Sequence, residues 1–186
     1  MITIAIIAAL ATLSLSALGK VREKAASIKC ASNMRQWGQA FMLFANDNGG
    51  TLPTYSSTAT AWQDGIAPYL VSLSGFYISN PRFALRTQLH CPKNTNVGWA
   101  YGINRNLSLA YNTSAPKTLA SISQPSKCLL LAETDNDGVT TTGSNLYNGI
   151  DYTRHKTGSN ICFVDGHVEF LSQDAAASQV NLQPNL

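Results

Sequence analysis

Three groups of residues in this 186-residue chain have types and spacings that could do chemistry. His155, Asp165 and His167 are the first, a set that a metal ion or an acid/base reaction could use. Asp165 and Gly166 are better explained by a turn, His167 falls on a polar strand face, and His155 follows Arg154 in a loop. No catalytic residue is therefore assigned, and the chain reads as not an enzyme. No P-loop, H-E-x-x-H or G-x-S-x-G pattern is present to say otherwise. The second group is Asp135-Asn136-Asp137-Gly138. Carboxylates at alternate positions before a glycine can bend around a hard cation, which makes Asp135 and Asp137 candidate calcium ligands. A full calcium loop of the EF-hand kind needs a glutamate at its twelfth position, where Leu146 stands. The other reading of this stretch is a solvated Asx turn. The third group is the four cysteines Cys30, Cys91, Cys128 and Cys162, which allow three pairings. Two readings stand side by side: the bridges Cys30–Cys91 and Cys128–Cys162, or four buried free thiols. An oxidising exterior favours bridges. Trp37, Trp62, Trp99 and the tyrosines are read as core and contact residues rather than as a stacking array.

The elements that would position these groups divide the chain in two. Met1 to Gly19 carries no charged side chain, and its polar side chains are hydroxyls that can bond back to helix carbonyls. As a helix it spans roughly 28 Å, about one hydrocarbon core. Lys20 to Lys24 follows at once. Then Cys30, Met34, Trp37, Phe41 and Phe44 recur at alternating spacings of four and three, one apolar stripe on a helix. Asn48-Gly49-Gly50 breaks it. The pattern predicts one helix over 2–47, roughly 70 Å long. Residues 1–48 form a stalk, with 1–19 as membrane or filament core and 20–48 amphipathic; residues 49–186 form a β-rich head.

In the head, residues 61–71 read as a short helix broken near Pro68. Lys127 to Glu133 is an apolar run of strand length. Residues 160–171 read as a hairpin, with Asp165-Gly166 as a two-residue type I′ turn. That register puts Ile161, Phe163, Val168 and Phe170 on one apolar face and Asn160, Cys162, His167 and Glu169 on the other. The apolar face is expected to pack on Met34, Trp37, Phe41 and Phe44. The fold class is α+β: a long N-terminal helix, apolar in its first half, against a small antiparallel sheet. Charged residues are only 12% of the chain, 45% are apolar, and the net charge is +3. That excludes a disordered chain and carries no basic stripe for a nucleic-acid partner.

A helix of this two-part kind resembles type IV pilins and the pseudopilins of type II secretion. Residues 4–25, IAIIAALATLSLSALGKVREKA, resemble the N-terminal segment of prepilin-type proteins. Cys30-Ala31-Ser32-Asn33-Met34-Arg35-Gln36 resembles the C-x-N-N-L-R-Q stretch that follows in many of them. His155, nine residues, then Asp165-Gly166 resembles the H-x9-D-G motif of a large bacterial prepilin-type family. His90-Cys91-Pro92, Ala100 to Asn104 and Gln124 to Lys127 are similar to it as well. The chain departs from that family in having no F-T-L-I-E-L-like run with its glutamate before IAIIA; its first acidic residue is Glu23.

The resemblance implies a structural subunit of an extracellular filament, with an inner-membrane intermediate and assembly machinery as partners. Ile2, Ile4, Ile6, Ile7, Leu10, Leu13, Leu15 and Leu18 would pack against other copies. The alternatives are a low-copy pseudopilin of a secretion or uptake machine, or a single-span anchored binding protein. Some pseudopilins bind calcium in a head loop, so calcium is the one cofactor the resemblance suggests. Lys20, Arg22, Lys24 and Lys29 follow the apolar run, and by charge alone would hold the head inside; pilin heads lie outside.

Overall fold

One helix, α1 (Ile2–Asp47), carries the first quarter of the molecule in the computed structural model. The structure describes residues 2–53, 62–74, 89–94, 100–107, 117–134, 138–142 and 145–180. Side chains of several residues of α1 before Leu18, and those of the strands over 138–148, lie outside this description. The helix stops where expected. Gly49 and Gly50 take φ of 63° and 83°, and the Gly50 amide donates to the Ala45 carbonyl at 2.7 Å. Only glycine adopts such angles at no steric cost, so the breaker closes the last turn as it ends it.

The second helix, α2 (Trp62–Ser74), lies along α1. It runs through Pro68 rather than breaking there. Proline costs a helix interior about 3 kcal/mol. Here Pro68 stands on the exposed side, while Trp62, Ile66, Ala67 and Leu70 are buried on the other. Burying four such side chains outweighs one lost hydrogen bond.

The sheet has the order β4-β3-β1-β2-β5-β6. Its strands are β1 (Tyr101–Asn104), β2 (Leu129–Glu133), β3 (Gly138–Thr142), β4 (Asn145–Asn148), β5 (Ser159–Phe163) and β6 (Val168–Leu171). The four strands β1-β2-β5-β6 are antiparallel, as is the β3–β4 pair. The sheet is nonetheless mixed, because β3 pairs parallel to β1. A short helix, α3 (Gln173–Gln179), follows β6; Ser172 caps it by accepting from the Ala175 amide.

Two apolar clusters lie on opposite faces of this sheet. The larger joins Cys30, Met34, Trp37 and Phe41 of α1 to α2 and to Ile103, Leu130, Cys162 and Val164. Phe44 and Val168 are half-buried against it. The smaller holds Leu129, Ile161, Phe163 and Leu171 with Ala176 and Val180 at α3. Ile161 and Phe163 therefore face away from α1, and Phe170 is 42% exposed. The expected helix–head face is corrected at Ile161 and Phe163; Phe170 stays on the side of Val168 and borders the groove along α1.

The cause is a one-residue slip in the hairpin. Asn160 pairs with Phe170, Ile161 with Glu169, and Cys162 with Val168. The Gly166 amide donates to the Phe163 carbonyl at 2.9 Å, and the Phe163 amide donates to the His167 carbonyl at 2.9 Å. The turn thus has three residues, with Gly166 at φ 88° and Asp165 not in the left-handed region. This is the type I turn with a glycine bulge, not type I′. The Asp165 carboxylate holds it by accepting from the His167 amide at 3.1 Å. A slip of one residue exchanges the two faces of a strand. The new register puts Cys162 against Gly38, where even an added Cβ would come within 2.9 Å of its sulfur. A sulfur fits there; the ring of Phe163 would not.

Candidate metal and thiol centre

Cys30, Cys91, Glu133 and His155 come from four separate segments, and their ligand-type atoms all lie within 4.8 Å of one another. All four residues are buried. Cys30 lies on α1 and Cys91 in the loop over 89–94; the two form a disulfide. That loop is tied to α1 beside the bridge by two side-chain donors that follow Cys30 on the helix. The Asn33 amide donates to the His90 carbonyl at 2.9 Å, and the Trp37 indole to the Leu89 carbonyl at 3.3 Å. Burial, then the Arg154 charge, lowers the His90 pKa below the usual histidine value.

Glu133 ends β2 and is fully buried. A buried carboxylate is costly unless donors surround it. Here the Asn160 amide donates to Oε2 at 3.0 Å, the Asn160 side chain to Oε1 at 3.0 Å, and the Ser159 hydroxyl to Oε2 at 3.4 Å. His155 Nε2 completes the set, 2.9 Å from Oε1 and 3.5 Å from the Cys91 sulfur.

His155 sits in the loop between β4 and β5, which is locked from below. Asp151 Oδ1 accepts from the Thr153 amide at 2.9 Å and the Arg154 amide at 3.1 Å. Burial alone would raise the Asp151 pKa, but the Thr153 and Arg154 donors and the Arg154 charge bring it below the usual range. The Arg154 guanidinium then reaches the Ala100 carbonyl at 2.7 Å and the Thr134 carbonyl at 3.1 Å. It staples the loop to the start of β1 and the end of β2. The neighbouring Tyr101 phenol, held toward the Cys30 carbonyl at 3.4 Å, has its pKa raised by burial and then by the Glu133 charge.

The other ring nitrogen of His155 faces Glu23. Nδ1 lies 3.8 Å from Glu23 Oε1, and both atoms are buried without a hydrogen-bond partner among the described residues. Glu23 Oε2 takes the Lys93 ammonium at 2.7 Å, and that bond is the main reason the Glu23 pKa is lowered. Glu23 and His155 also border a groove of about 530 Å³ between α1 and the β5–β6 hairpin, which Arg35 and Phe170 help to line.

The structure separates the histidine–aspartate set. Asp165 and His167 bond one another in the hairpin turn, and the His167 ring stacks on Phe163 at 4.2 Å. Neither belongs to the buried cluster. His155 does, through Glu133, a residue that sequence reasoning placed only at the end of an apolar run. The one available signal was a carboxylate closing a strand whose other residues are all apolar. The pairing Cys128–Cys162 is corrected: both are free and buried. Cys162 pairs with Leu131, while the Cys128 carbonyl accepts from Val164, so the two thiols are out of register across β2 and β5.

Asp135 and Asp137 lie outside the described residues, as do the side chains of Ile2, Leu10, Leu13 and Leu15. Ile4, Ile6, Ile7 and Leu18 are exposed. Among the described residues no helix is long and apolar enough to cross a membrane.

The cluster offers two sulfurs, an imidazole and a carboxylate, a donor set that can hold a metal ion. Its soft sulfurs do not suit calcium, which takes oxygen ligands. Comparison of the chain with known protein families, with curated proteins and with solved structures returns no match.

Proposed function

We propose that this chain is a pilin-like structural subunit of an extracellular helical filament, assembled through its N-terminal helix. The observation that carries the reading is how unevenly α1 is used. The head buries Cys30, Met34, Trp37, Phe41 and Ala45, whereas Ile4, Ile6 and Ile7 are 72%, 54% and 67% exposed. Among the described side chains of the uncharged run over 1–19, the large apolar ones, Ile4, Ile6, Ile7 and Leu18, are left exposed by the chain's own head. Copies of the same helix, or lipid before assembly, would cover it. A heterologous contact that does not close on itself builds a fibre. At roughly 25 cal/mol per Å² of apolar surface, a fraction of that helix supplies many kcal/mol. The order of the prepilin-like segments along the chain supports the same reading.

In this reading the partners are other copies, the assembly machinery and the inner membrane, with no nucleic acid and no catalytic role. A calcium ion at Asp135 and Asp137 would be a separate ligand of the head. The alternatives are a low-copy pseudopilin and an anchored binding protein. Electron microscopy of material sheared from cells, with mass spectrometry of the N-terminal peptide, tests the three. Thin fibres of this chain, lost on Ile6→Asp, are expected. Membrane fractions rich in the protein but without fibres would overturn the filament reading. In that outcome, secretion lost on Ile6→Asp would identify the pseudopilin, and mere loss of membrane retention the anchored binder.

A further inference from the structure

The disulfide does not account for what surrounds it. Bridging two cysteines needs neither a buried carboxylate nor a buried imidazole, yet Glu133 and His155 stand against the bridge with their own supporting hydrogen bonds. We propose that, when Cys30 and Cys91 are reduced, Cys30, Cys91, Glu133 and His155 bind one zinc ion, and that forming the disulfide expels it.

The donor set is right for zinc. Two thiolates, an imidazole nitrogen and a carboxylate oxygen make a closed tetrahedral site of the structural kind. The spacing is right as well. A zinc ion with sulfur at ~2.3 Å and nitrogen at ~2.0 Å holds those two atoms about 3.5 Å apart. Cys91 Sγ and His155 Nε2 are 3.5 Å apart. Ligand nitrogen and oxygen are held about 3.3 Å apart on zinc; His155 Nε2 and Glu133 Oε1 are 2.9 Å apart. Opening the bridge lets the sulfurs separate to the ~3.8 Å that a shared zinc requires.

The outer shell is in place too. A zinc-bound histidine gives its second ring N–H to a carboxylate, which fixes the ring. In the bridged state Nε2 lies 2.9 Å from Glu133 Oε1, the arrangement of an Nε2–H tautomer, and Nδ1 and Glu23 Oε1 face each other 3.8 Å apart with no hydrogen-bond partner among the described residues. Moving the ring proton to Nδ1 frees Nε2 for the metal and gives Glu23 its missing donor. Lys93 already holds Glu23 by its other oxygen. Glu133 keeps the Asn160 and Ser159 donors when His155 turns to the metal. The groove beside Glu23 and His155 supplies the entry path.

The exchange balances. Zinc binding releases one proton from each thiol. A disulfide-bearing oxidant then accepts two electrons: one thiolate attacks its sulfur, the other displaces the mixed disulfide, and the Cys30–Cys91 bond forms. Two thiolates of the spent oxidant and one zinc ion leave. Before oxidation the metal would hold the loop over 89–94 on α1; afterwards the bridge does. This concerns the contact between the head and the outer half of α1 and stands whether or not the chain polymerises.

The test uses the full-length chain in detergent, once with its bridge intact and once reduced by a phosphine, and titrates each with zinc and with cobalt. The bridged chain has the same sequence, so the comparison does not depend on any variant folding. The reduced chain is expected to take one equivalent and to show a near-ultraviolet thiolate-to-cobalt charge-transfer band. The bridged chain should bind more weakly by over the ~100-fold that losing an outer-shell partner can cost. Glu23→Gln in the reduced chain should weaken binding by ~10-fold, a loss that a purely structural carboxylate would not produce. A reduced chain that takes up no metal, binds it no better than the bridged one, or binds cobalt without the thiolate band would overturn the proposal.

Discussion

The two cysteine pairs are both buried, and they have opposite fates. Cys30 and Cys91 are bridged amid polar groups, with Glu133 and His155 in contact and Asn33 tying their two segments together. Cys128 and Cys162 lie in the apolar layer between α1 and the sheet and stay as thiols. Burial is common to both, so burial does not decide. Register and tethering do: two side hydrogen bonds hold the loop over 89–94 to α1, whereas β2 and β5 hold their cysteines out of step. The environment then separates their chemistry. One pair has an imidazole and a carboxylate beside it, and burial holds the other as neutral thiols.

The comparison breaks most strongly at Cys91→Ser. The bridge closes a sequence separation of 61 residues. By the chain-entropy argument its loss should cost about 4 kcal/mol, read as a lower denaturation midpoint of the head. Cys128→Ser removes no bridge and should cost distinctly less. If both substitutions cost the same, the contrast between the pairs fails.

Gly38→Ala probes the apolar pair. The added Cβ would stand 2.9 Å from the Cys162 sulfur. Overpacking of this sort costs ~1–3 kcal/mol, and the better helix propensity of alanine returns up to about 1. A net loss of about 1 kcal/mol is expected. Adding Cys162→Ala should relieve the crowding, so the two changes together should cost less than their sum. Strict additivity in that double-mutant cycle would show that α1 and β5 do not meet at this point.

The smallest effect is in pH. Burial pushes both the Cys128 and the Cys162 thiol up to about 12; for Cys162 the Asp165 charge adds to it. The folded state thus keeps protons that the unfolded thiols give up near pH 8.5. Stability contributed by these thiols is fully present below that pH and falls as pH rises toward about 12. In the folded protein at pH 8.5, both should resist alkylation that goes quickly once the chain is unfolded, as followed by mass spectrometry. Rapid labelling of either thiol in the folded chain would contradict its place in the core.

How much of this was legible follows the range of the forces. The apolar stripe from Cys30 to Phe44 and the breaker at Asn48-Gly49-Gly50 predict α1 to its last residue, because helix hydrogen bonds and faces repeat within four residues. The apolar run at Leu129 and the Asp165-Gly166 turn likewise predict β2 and the β5–β6 hairpin. The hairpin register was not legible, since both turn types accept Asp-Gly and both registers leave a usable face. Contact with Gly38 selects between them, and Gly38 lies on another element. Pro68 was read as a breaker because the buried face of α2 that overrides it is a tertiary matter.

The candidate site divides along the same line. Sequence alone marked His155, Cys30 and Cys91 as residues with chemistry, since their types carry it wherever they fall. It could not bring Glu133 to His155 across 22 residues, or Glu23 to Lys93 across 70. Local spacing by itself determined a long helix with an uncharged first stretch, a breaker, and strands of set length and amphipathic pattern. Only the tertiary structure decided which cysteines meet, which strand face turns to α1, that β3 runs parallel to β1, and that a carboxylate and an imidazole share one buried pocket. Those are contacts between distant segments, and their energies depend on how the whole chain packs rather than on any one stretch of it.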